Sequence, residues 1–338
     1  MRQQSILIVT HAADDHVPLV EAELIRLGTA YIRFNTDDCM ESADVLCGGG
    51  HGPGIEFSID RIAPQINLTT ACGSYHGQDI AAVLFRHIKP YQPVRLEDPD
   101  AARFAASEIS AALEGAVLTL EPALWINHPQ ANQNTRNKVL QLRVAAQLGF
   151  DVPDTIVTRD PARIRERFAQ WSGQMVAKLA GGQLVGPSVD AQYVIHTTKI
   201  TTAHLANDAA LSAAPAIYQR LIAKAYDVRV TVIGEKLFAC RIASQARDDS
   251  AIDWRAAGFQ NLDHRVFDLP PAVQSLCRDI VRRFGLHTAG IDLIERPDGA
   301  FTFLEINASG QWAWIEKMTG LPIAAEFARQ LSGAARRP

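Results

Sequence analysis

The stretch FLEINASGQW, from Phe303 to Trp312, takes an apolar run into two polar side chains that stand two residues apart. Because successive side chains of a β-strand point to opposite faces, Glu305 and Asn307 project from the same face. The chain then runs through Ala-Ser-Gly to Trp312. A surface strand that ends in a loop has this pattern, and so does a strand that carries metal ligands.

A β-rich partner precedes this stretch at residues 290–295, and a turn containing Pro-Asp-Gly separates the two runs. If the tight loop consists of the two residues Asp298 and Gly299, Asp292 lies directly opposite Glu305. A three-residue loop with a glycine bulge shifts the pairing by one residue and takes Asp292 off that face. The two registers therefore predict different sites.

The first register brings three oxygen ligands together. The facing carboxylates of Asp292 and Glu305 repel each other, which destabilises a bare sheet, whereas a cation between them turns repulsion into attraction. With the amide oxygen of Asn307 they form a hard ligand set that suits Mg²⁺, an ion that keeps several waters and shares phosphate oxygens. The alternative is a solvated hairpin with incidental acids.

The composition of the 338-residue chain is that of an ordinary globular protein, with 47% apolar and 21% charged residues. Its length predicts two or three domains. The net charge of −4 gives no basic footprint for nucleic acid, and no apolar run is long enough to span a membrane. The five cysteines lack metal-ligand spacing, so we expect a cytoplasmic protein with reduced thiols.

The pattern of strands and helices predicts an α/β protein with three regions. These are an N-terminal α/β domain at residues 1–122, a central subdomain at 123–215 and a C-terminal subdomain at 216–338. The glycine-rich patch at 47–54 lacks the flanking strand and helix of a dinucleotide site, so we expect a loop there. The clearest elements are strands at 5–10, 31–35, 54–59 and 81–88, and helices at 16–27, 136–148 and 271–284.

Mg²⁺ that is held by few protein groups usually also binds the phosphates of a nucleotide. Two lysines are placed where they could bind such a phosphate. Lys178 ends an apolar strand and precedes a loop with Gly181, Gly182 and Gly186, whose backbone N–H groups can cradle phosphate. Lys138 lies in the first turn of its helix, where a cation opposes the helix dipole and needs an anion or solvent nearby. Ordinary surface lysines are the alternative for both.

The segment YQRLIAKAYDVRV, at residues 218–230, has the pattern of a strand, a short crossing and a second strand. Residues 220–222 of the crossing could offer backbone N–H and C=O groups to an adenine edge. Asp227 could accept hydrogen bonds from ribose hydroxyls. Arg229 lies on the same strand face and could reach a phosphate or a substrate carboxylate. The alternative is an ordinary edge strand with charged side chains, which would have the same sequence pattern.

The order of these features resembles that of the ATP-grasp superfamily, over nearly the whole chain. More narrowly, FRHIKP at 85–90, KAYDVR at 224–229, DWR at 253–255 and NASGQWAWIEKMTGLPI from Asn307 onward resemble microviridin-type graspetide synthetases. These enzymes mature ribosomally made peptides that carry ω-ester or ω-amide rings. The Gly-Gln-Trp continuation differs from generic ATP-grasp ligases, in which the Asn-containing strand more often runs into Ser-Pro-Gly.

The resemblance implies a pre-ATP-grasp α/β domain followed by two subdomains that close on ATP. Arg220 stands where many relatives carry Glu, so the resemblance implies backbone recognition of adenine and no side-chain contact. The implied ATP contacts are Lys138, Lys178, Gln219, Arg220, Leu221, Ile222 and Asp227. The implied Mg²⁺ ligands are Asp292, Glu305 and Asn307, and the implied catalytic residues, which neutralise phosphate or acyl-phosphate charge, are Arg229, Arg255 and Lys178.

The resemblance also implies a reaction and a partner. An Asp or Glu side chain of a precursor peptide, composed of leader and core, would become an acyl phosphate with release of ADP, and a hydroxyl or amine of the same peptide would attack it. Residues 183–200 would bind the leader or form a plain structural hairpin, and the enzyme would be a homodimer. The alternatives are a glutamate-ligase-like enzyme that acts on amino acids or a protein C-terminus, and a nucleotide-binding regulator without turnover.

Overall fold

The computed structural model describes residues 4–37, 54–59, 64–70, 73–86, 97–180, 184–185, 192–193 and 196–336. The chain divides into two compact units, residues 1–130 with 322–338 and residues 131–321. Residues 322–338, which the sequence analysis assigned to the C-terminal subdomain, belong to the first unit. The boundaries near residues 122 and 215 stay predictions.

The first unit is an α/β unit with a parallel sheet. Its elements, numbered in chain order, are β1 (Ser5–Thr10), α1 (Val17–Arg26), β2 (Tyr31–Asn35), β3 (Gly54–Ile59), β4 (Pro64–Thr70), β5 (Gly73–His76), β6 (Ile80–Phe85), α2 (Pro99–Leu118), β7 (Leu124–Ile126) and, at the end of the chain, α10 (Ile323–Ala335). The parallel strands lie in the order β2-β1-β6-β7, and β3, β4 and β5 form a separate antiparallel sheet.

Apolar runs explain this unit. Residues 6–9 of β1 are Ile-Leu-Ile-Val and are all buried, as expected of a parallel strand that is covered on both faces. In α10 the buried residues Ile323, Phe327 and Leu331 recur every four positions and form one apolar face. That face explains the place of the last helix, because α10 packs against α1, β1 and β6.

The second unit contains the elements from α4 to α9. Helix α3 (Pro129–Asn134) crosses the boundary between the units. Then follow α4 (Lys138–Leu148), β8 (Thr155–Thr158), α5 (Pro161–Gln170), β9 (Met175–Lys178), β10 (Leu184–Val185), β11 (Gln192–Tyr193), β12 (Thr198–Lys199), α6 (Thr202–Leu205), α7 (Asp208–Ala213), β13 (Ala216–Arg220), β14 (Tyr226–Ile233), β15 (Lys236–Ile242), β16 (His264–Val266), α8 (Pro271–Arg283), β17 (Thr288–Glu295), β18 (Phe301–Asn307) and α9 (Ala313–Thr319).

Two antiparallel sheets organise this unit, one in the order β12-β9-β13-β8 and the other in the order β16-β15-β14-β17-β18. One face of the five-stranded sheet is apolar and forms a core with α4 and α8, through residues such as Val230, Ile291 and Phe303. Because strand side chains alternate, the polar residues of the same strands lie on the opposite face. The sheet therefore separates a core from a polar surface that can carry a site.

The hairpin of β17 and β18 confirms that Asp292 faces Glu305, but by a route different from the one predicted. Arg296 pairs with Ala300 around a three-residue loop, and Gly299 adopts a positive φ of 81°. This loop shifts the register by one residue, as the alternative predicted. Leu304 then forms a bulge between the Leu293–Phe303 and Asp292–Glu305 pairs and shifts the register back.

Some predictions fall on residues outside the described ranges. These include most of the glycine-rich patch at 47–54, three of the five cysteines, and the glycines that follow Lys178. In the predicted hairpin at 183–200, β10 pairs with β11 and β12 pairs with β9, and its role in leader binding stays a prediction. In the described part of the chain, Cys240 and Cys277 are free and buried, and no helix is long and apolar enough to cross a membrane.

Candidate active site

Three predicted metal ligands converge on the polar face of the five-stranded sheet. Asp292 is buried, and Glu305 lies opposite it in the neighbouring strand. The side-chain amide nitrogen of Asn307 lies 3.4 Å from Asp292 Oδ2 and 3.3 Å from Glu305 Oε1. Within the described ranges, no three His, Cys, Asp or Glu side chains form a metal-binding group, so a cation here would need the amide as its third protein ligand.

Cationic side chains surround the two carboxylates. The Nη2 atom of Arg255 donates to Asp292 Oδ2 at 2.7 Å and to Glu305 Oε1 at 2.8 Å. Arg229 Nη1 donates to Asp292 Oδ1 at 2.8 Å. Lys138 Nζ lies 3.4 Å from Glu305 Oε2. This carboxylate is therefore the anion that offsets the unfavourable position of a lysine in the first turn of α4. The bridging guanidinium of Arg255 therefore occupies the position where a cation relieves the repulsion of the acid pair.

The electrostatics of Glu305 and Lys178 follow from this crowding. Burial raises the pKa of Glu305, but Arg255, Lys138 and Lys178 together hold it well below its usual value. Burial lowers the pKa of the Lys178 ammonium, and Lys138 and Arg255 lower it further against the opposite effect of Glu305. The carboxyl is thus fully ionised at neutral pH, and the ammonium gains from any anion that binds beside it.

Two glycines make room for the guanidinium of Arg229. A Cβ on Gly290 would lie 2.4 Å from Arg229 Nη2, and one on Gly310 would lie 2.7 Å from the same atom. Arg229 Nη2 also donates to the carbonyl of Gln311 at 3.3 Å. The Ser-Gly-Gln-Trp segment thus holds an arginine against Asp292, which gives a physical reason for its glycine.

The predicted adenine hinge lies at the end of β13. Lys178 of the neighbouring strand β9 pairs with Ile217 of β13. Gln219 is buried, with its Nε2 atom 3.0 Å from Thr155 Oγ1. The N–H groups of Arg220 and Leu221 donate to the carbonyls of Asp154 and Gln174, each at 2.9 Å. Among the described residues, none accepts a hydrogen bond from the N–H of Ile222, so this group is the donor that the hinge retains.

Asp227 is bound within the protein. Its Oδ2 atom accepts a hydrogen bond from Lys224 Nζ at 2.7 Å. Burial raises the pKa of Asp227, and Lys224 opposes that effect. The same ammonium donates to the carbonyl of Ile252 at 3.2 Å. Asp227 therefore ties β14 to the segment before Arg255, and its predicted role towards ribose stays a prediction.

Some residues of the site were missed in the sequence analysis. Asp253 is buried, accepts a hydrogen bond from the N–H of Arg255 at 3.1 Å and caps the short 3-10 turn that presents this arginine. An Asp two residues before the turn's first N–H donor is a common capping pattern, so DWR carried a signal. Lys224 stands within the KAYDVR motif, but no role was predicted for it. Gln141 gave no signal, because a single glutamine within a helix has no distinctive spacing.

The aromatic residues after β18 divide between two environments. Trp312 is 2% exposed and belongs to the core. Trp314 is partly exposed and packs with Trp254, at 5.1 Å between ring centroids, and with Phe259 and His264. Since Trp254 precedes Arg255, this aromatic cluster flanks the acid pair.

Residues 135–331 match the family of the RimK-like ATP-grasp domain, and this match spans more than half of the chain. The chain belongs to this ATP-grasp family. The matched region contains every residue that the sequence analysis assigned to ATP, Mg²⁺ or catalysis. The ATP-grasp fold predicted from the sequence is therefore confirmed, and the protein is a member of a ligase family.

Known proteins resemble this ATP-grasp chain along nearly its whole length. A probable α-L-glutamate ligase of Enterobacter sp. (strain 638) is 25% identical over 315 residues, which cover 90% of this chain and 93% of that protein. An ATP-grasp ligase associated with ribosomal peptide maturation in Chryseobacterium gregarium, in complex with ADP and with a leader and a core peptide, superimposes with a TM-score of 0.87. It is 24% identical, with 99% of this chain and 98% of that one covered.

A third resemblance is to the macrocyclase MdnC of Microcystis aeruginosa, whose structure contains the precursor peptide MdnA. It has a TM-score of 0.82 and 23% identity, and covers 98% of this chain and 100% of that one. At these identities the structural likenesses show the common fold, whereas substrate choice depends on the site.

Proposed function

We propose that this ATP-grasp ligase cyclises a ribosomal precursor peptide. It would bind ATP with Mg²⁺, convert an Asp or Glu side chain of the peptide to an acyl phosphate, and let a hydroxyl or amine of the same peptide displace phosphate. The observation that carries the proposal is the convergence of Asp292, Glu305 and Asn307 under several cationic side chains. Its support also comes from the Ser-Gly-Gln-Trp segment and from neighbours that bind precursor peptides.

The donor set fits Mg²⁺. Two carboxylates in adjacent strands face one point, and the Asn307 amide lies within 3.4 Å of both. In the structure its nitrogen faces the carboxylates, and a half-turn of the amide presents its oxygen to a cation instead. When bound, Mg²⁺ would supply positive charge that neutralises the phosphoryl group during its transfer. Asp292, Glu305 and Asn307 would hold it.

In this proposal the cationic side chains bind phosphate and neutralise its charge. Lys138 and Lys178 would bind the phosphate chain of ATP. The guanidinium of Arg255, which bonds to both carboxylates in this structure, would neutralise the acyl phosphate or the departing phosphate. Arg229 stays within its glycine cradle and orients Asp292. Catalysis then rests on positioning and on preorganised charge.

Adenine would bind at the end of β13. The N–H of Ile222, which no described residue accepts, would donate to the adenine ring, and carbonyl groups of residues 220–222 would accept from its amino group. Gln219 is held by its hydrogen bond to Thr155. The carboxylate of Asp227, which accepts from Lys224, would also accept a hydrogen bond from a ribose hydroxyl. Arg220 is exposed and lies 3.9 Å from Asp154, in keeping with backbone recognition alone.

The experiment uses a short peptide, encoded beside this chain's gene and rich in Thr, Ser, Asp and Glu, with ATP and Mg²⁺. Mass spectrometry should show the loss of one water per ring, with one ADP formed each time. Glu305→Ala should abolish both products because it removes a metal ligand, whereas Glu114→Ala, at an exposed position of α2, should leave them unchanged. Full ring formation by Glu305→Ala would exclude the proposed metal site.

A glutamate ligase is the second candidate, favoured by the relative from Enterobacter. That reaction adds mass to a peptide because a glutamyl residue is attached, whereas cyclisation removes mass. A regulator without turnover would bind nucleotide and form no ADP with either substrate. The same mass measurement, made with glutamate and a protein C-terminal peptide as substrates, separates the three functions.

A further inference from the structure

Gln141 of α4 forms an unusual pair of hydrogen bonds with the strand that carries two of the proposed metal ligands. The backbone N–H of Ile306 donates to Gln141 Oε1 at 3.1 Å, and Gln141 Nε2 donates to the carbonyl of Ile306 at 2.8 Å. The second Nε2 hydrogen goes to the carbonyl of Thr135 at 2.6 Å. One side chain thus binds both backbone polar groups of Ile306, as a neighbouring strand would.

The location of this pair gives it weight. β18 is an edge strand of the five-stranded sheet, so no strand within the described ranges pairs with the outward backbone groups of Ile306. Ile306 is 1% exposed and Gln141 4% exposed, so water does not take the place of the missing strand. A buried backbone N–H and C=O without partners would each cost the desolvation of a polar group. The amide of Gln141 satisfies both.

Ile306 lies between Glu305 and Asn307. Its own side chain enters the core, and the two flanking side chains project to the polar face. Holding the N–H and C=O of Ile306 therefore fixes the backbone from which both ligands extend. Lys138, three positions earlier on α4 and so on the same helix face, contacts the carboxylate of Glu305.

We propose that Gln141 is a positioning residue for the metal site. Its side chain replaces the missing neighbour strand at Ile306 and fixes the spacing of Glu305 and Asn307 against Asp292. This inference rests on the proposed function in so far as the three residues hold a divalent cation. Groups that orient metal ligands without touching the metal typically change affinity by about 10- to 100-fold when removed.

The test measures Mn²⁺ binding to the full chain by electron paramagnetic resonance, with and without ADP. Gln141→Met keeps the length of the side chain and removes all three hydrogen bonds, and we expect Mn²⁺ to bind about 10- to 100-fold more weakly. Gln147→Met, at an exposed position of the same helix, is the matched control and should bind Mn²⁺ as the unmodified chain does. An unchanged affinity in Gln141→Met would overturn the positioning role.

Two further measurements keep the outcomes separate. Glu305→Ala should lose Mn²⁺ binding at this site; if it does not, the proposed function fails whatever Gln141 does. In the unmodified chain, the Ile306 amide should exchange with heavy water as slowly as amides within the sheet, because its acceptor is buried. Fast exchange at Ile306 would overturn the inference even if Gln141→Met did not fold.

Discussion

At the scale of single residues, Gly310 and Gly290 approach so closely that a side chain has no space. A Cβ on Gly310 would lie 3.0 Å from the backbone N and Cα of Gly290 and 2.7 Å from Arg229 Nη2. Gly310→Ala should therefore lower the free energy of unfolding by about 1–3 kcal/mol. It should also displace Arg229 from Asp292 and reduce ring formation. Urea unfolding and the peptide assay measure the two effects.

A glycine with open space around it is the control for this prediction. A Cβ on Gly115, within α2, would meet nothing within 4 Å, so Gly115→Ala should stabilise its helix by roughly 0.5–1 kcal/mol. If Gly310→Ala unfolded and cyclised peptide as the unmodified chain does, the close approach at Arg229 would have no functional meaning.

Arg255 gives a second prediction at this scale. Its guanidinium bonds to both acids, and it competes with any cation that binds between them. Arg255→Met should therefore bind Mn²⁺ roughly tenfold more tightly in the absence of nucleotide, given the usual strength of charged hydrogen bonds, while ring formation falls. Arg265→Met, which removes an exposed arginine, should change neither. Weaker Mn²⁺ binding in Arg255→Met would contradict the competition.

At the scale of secondary-structure elements, Asp14 joins β1, α1 and β6. It accepts hydrogen bonds from Thr10 Oγ1 at 2.8 Å, from the N–H of His16 at 3.0 Å and from Arg86 Nε at 3.2 Å. Burial raises the pKa of Asp14, but Arg86 and these hydrogen bonds outweigh it and lower the pKa to about 2. The ionised carboxylate thus stabilises the folded chain.

The sign of the pH effect follows from that direction. Because the folded pKa lies below the unfolded value of about 3.9, the stabilisation is complete above pH ~4 and is lost as the pH falls towards 2. It amounts to roughly 2 kcal/mol. Asp14→Asn should be less stable than the unmodified chain at pH 5, and the difference should shrink towards pH 2. A constant difference in urea unfolding across that range would contradict the role of the charge.

Element-scale features show why the sequence predicted the acid pair but not the loop length and the bulge that produce it. Alternation along β18 was enough to place Glu305 and Asn307 on one face, and apolar spacing was enough to end α4 at Gly149. The loop length was predicted wrongly, and the pairing of Asp292 with Glu305 holds because Leu304 adds a compensating bulge. A bulge depends on packing against both strand neighbours, so local sequence carries little trace of it.

At the scale of the whole molecule, the order of motifs along the chain identified the ATP-grasp fold, whereas the assignment of the last helix followed sequence proximity. α10 lies in the first unit because its apolar face packs against α1, β1 and β6. The sequence predicts an apolar helix face but does not show which elements it packs against. Gln141 shows the same limit, because a mid-helix glutamine becomes informative only when a distant strand edge lies against it.

Whole-molecule function is tested most directly by the fate of oxygen atoms. A precursor peptide with heavy oxygen in its Asp and Glu side-chain carboxylates is cyclised with ordinary ATP, and the released phosphate is analysed by mass spectrometry. If the side chain becomes an acyl phosphate, one heavy oxygen leaves with each phosphate and the peptide loses one for each ring. Ring formation with unlabelled phosphate, or phosphate released only when a C-terminal carboxyl is modified, would contradict side-chain activation by this ligase.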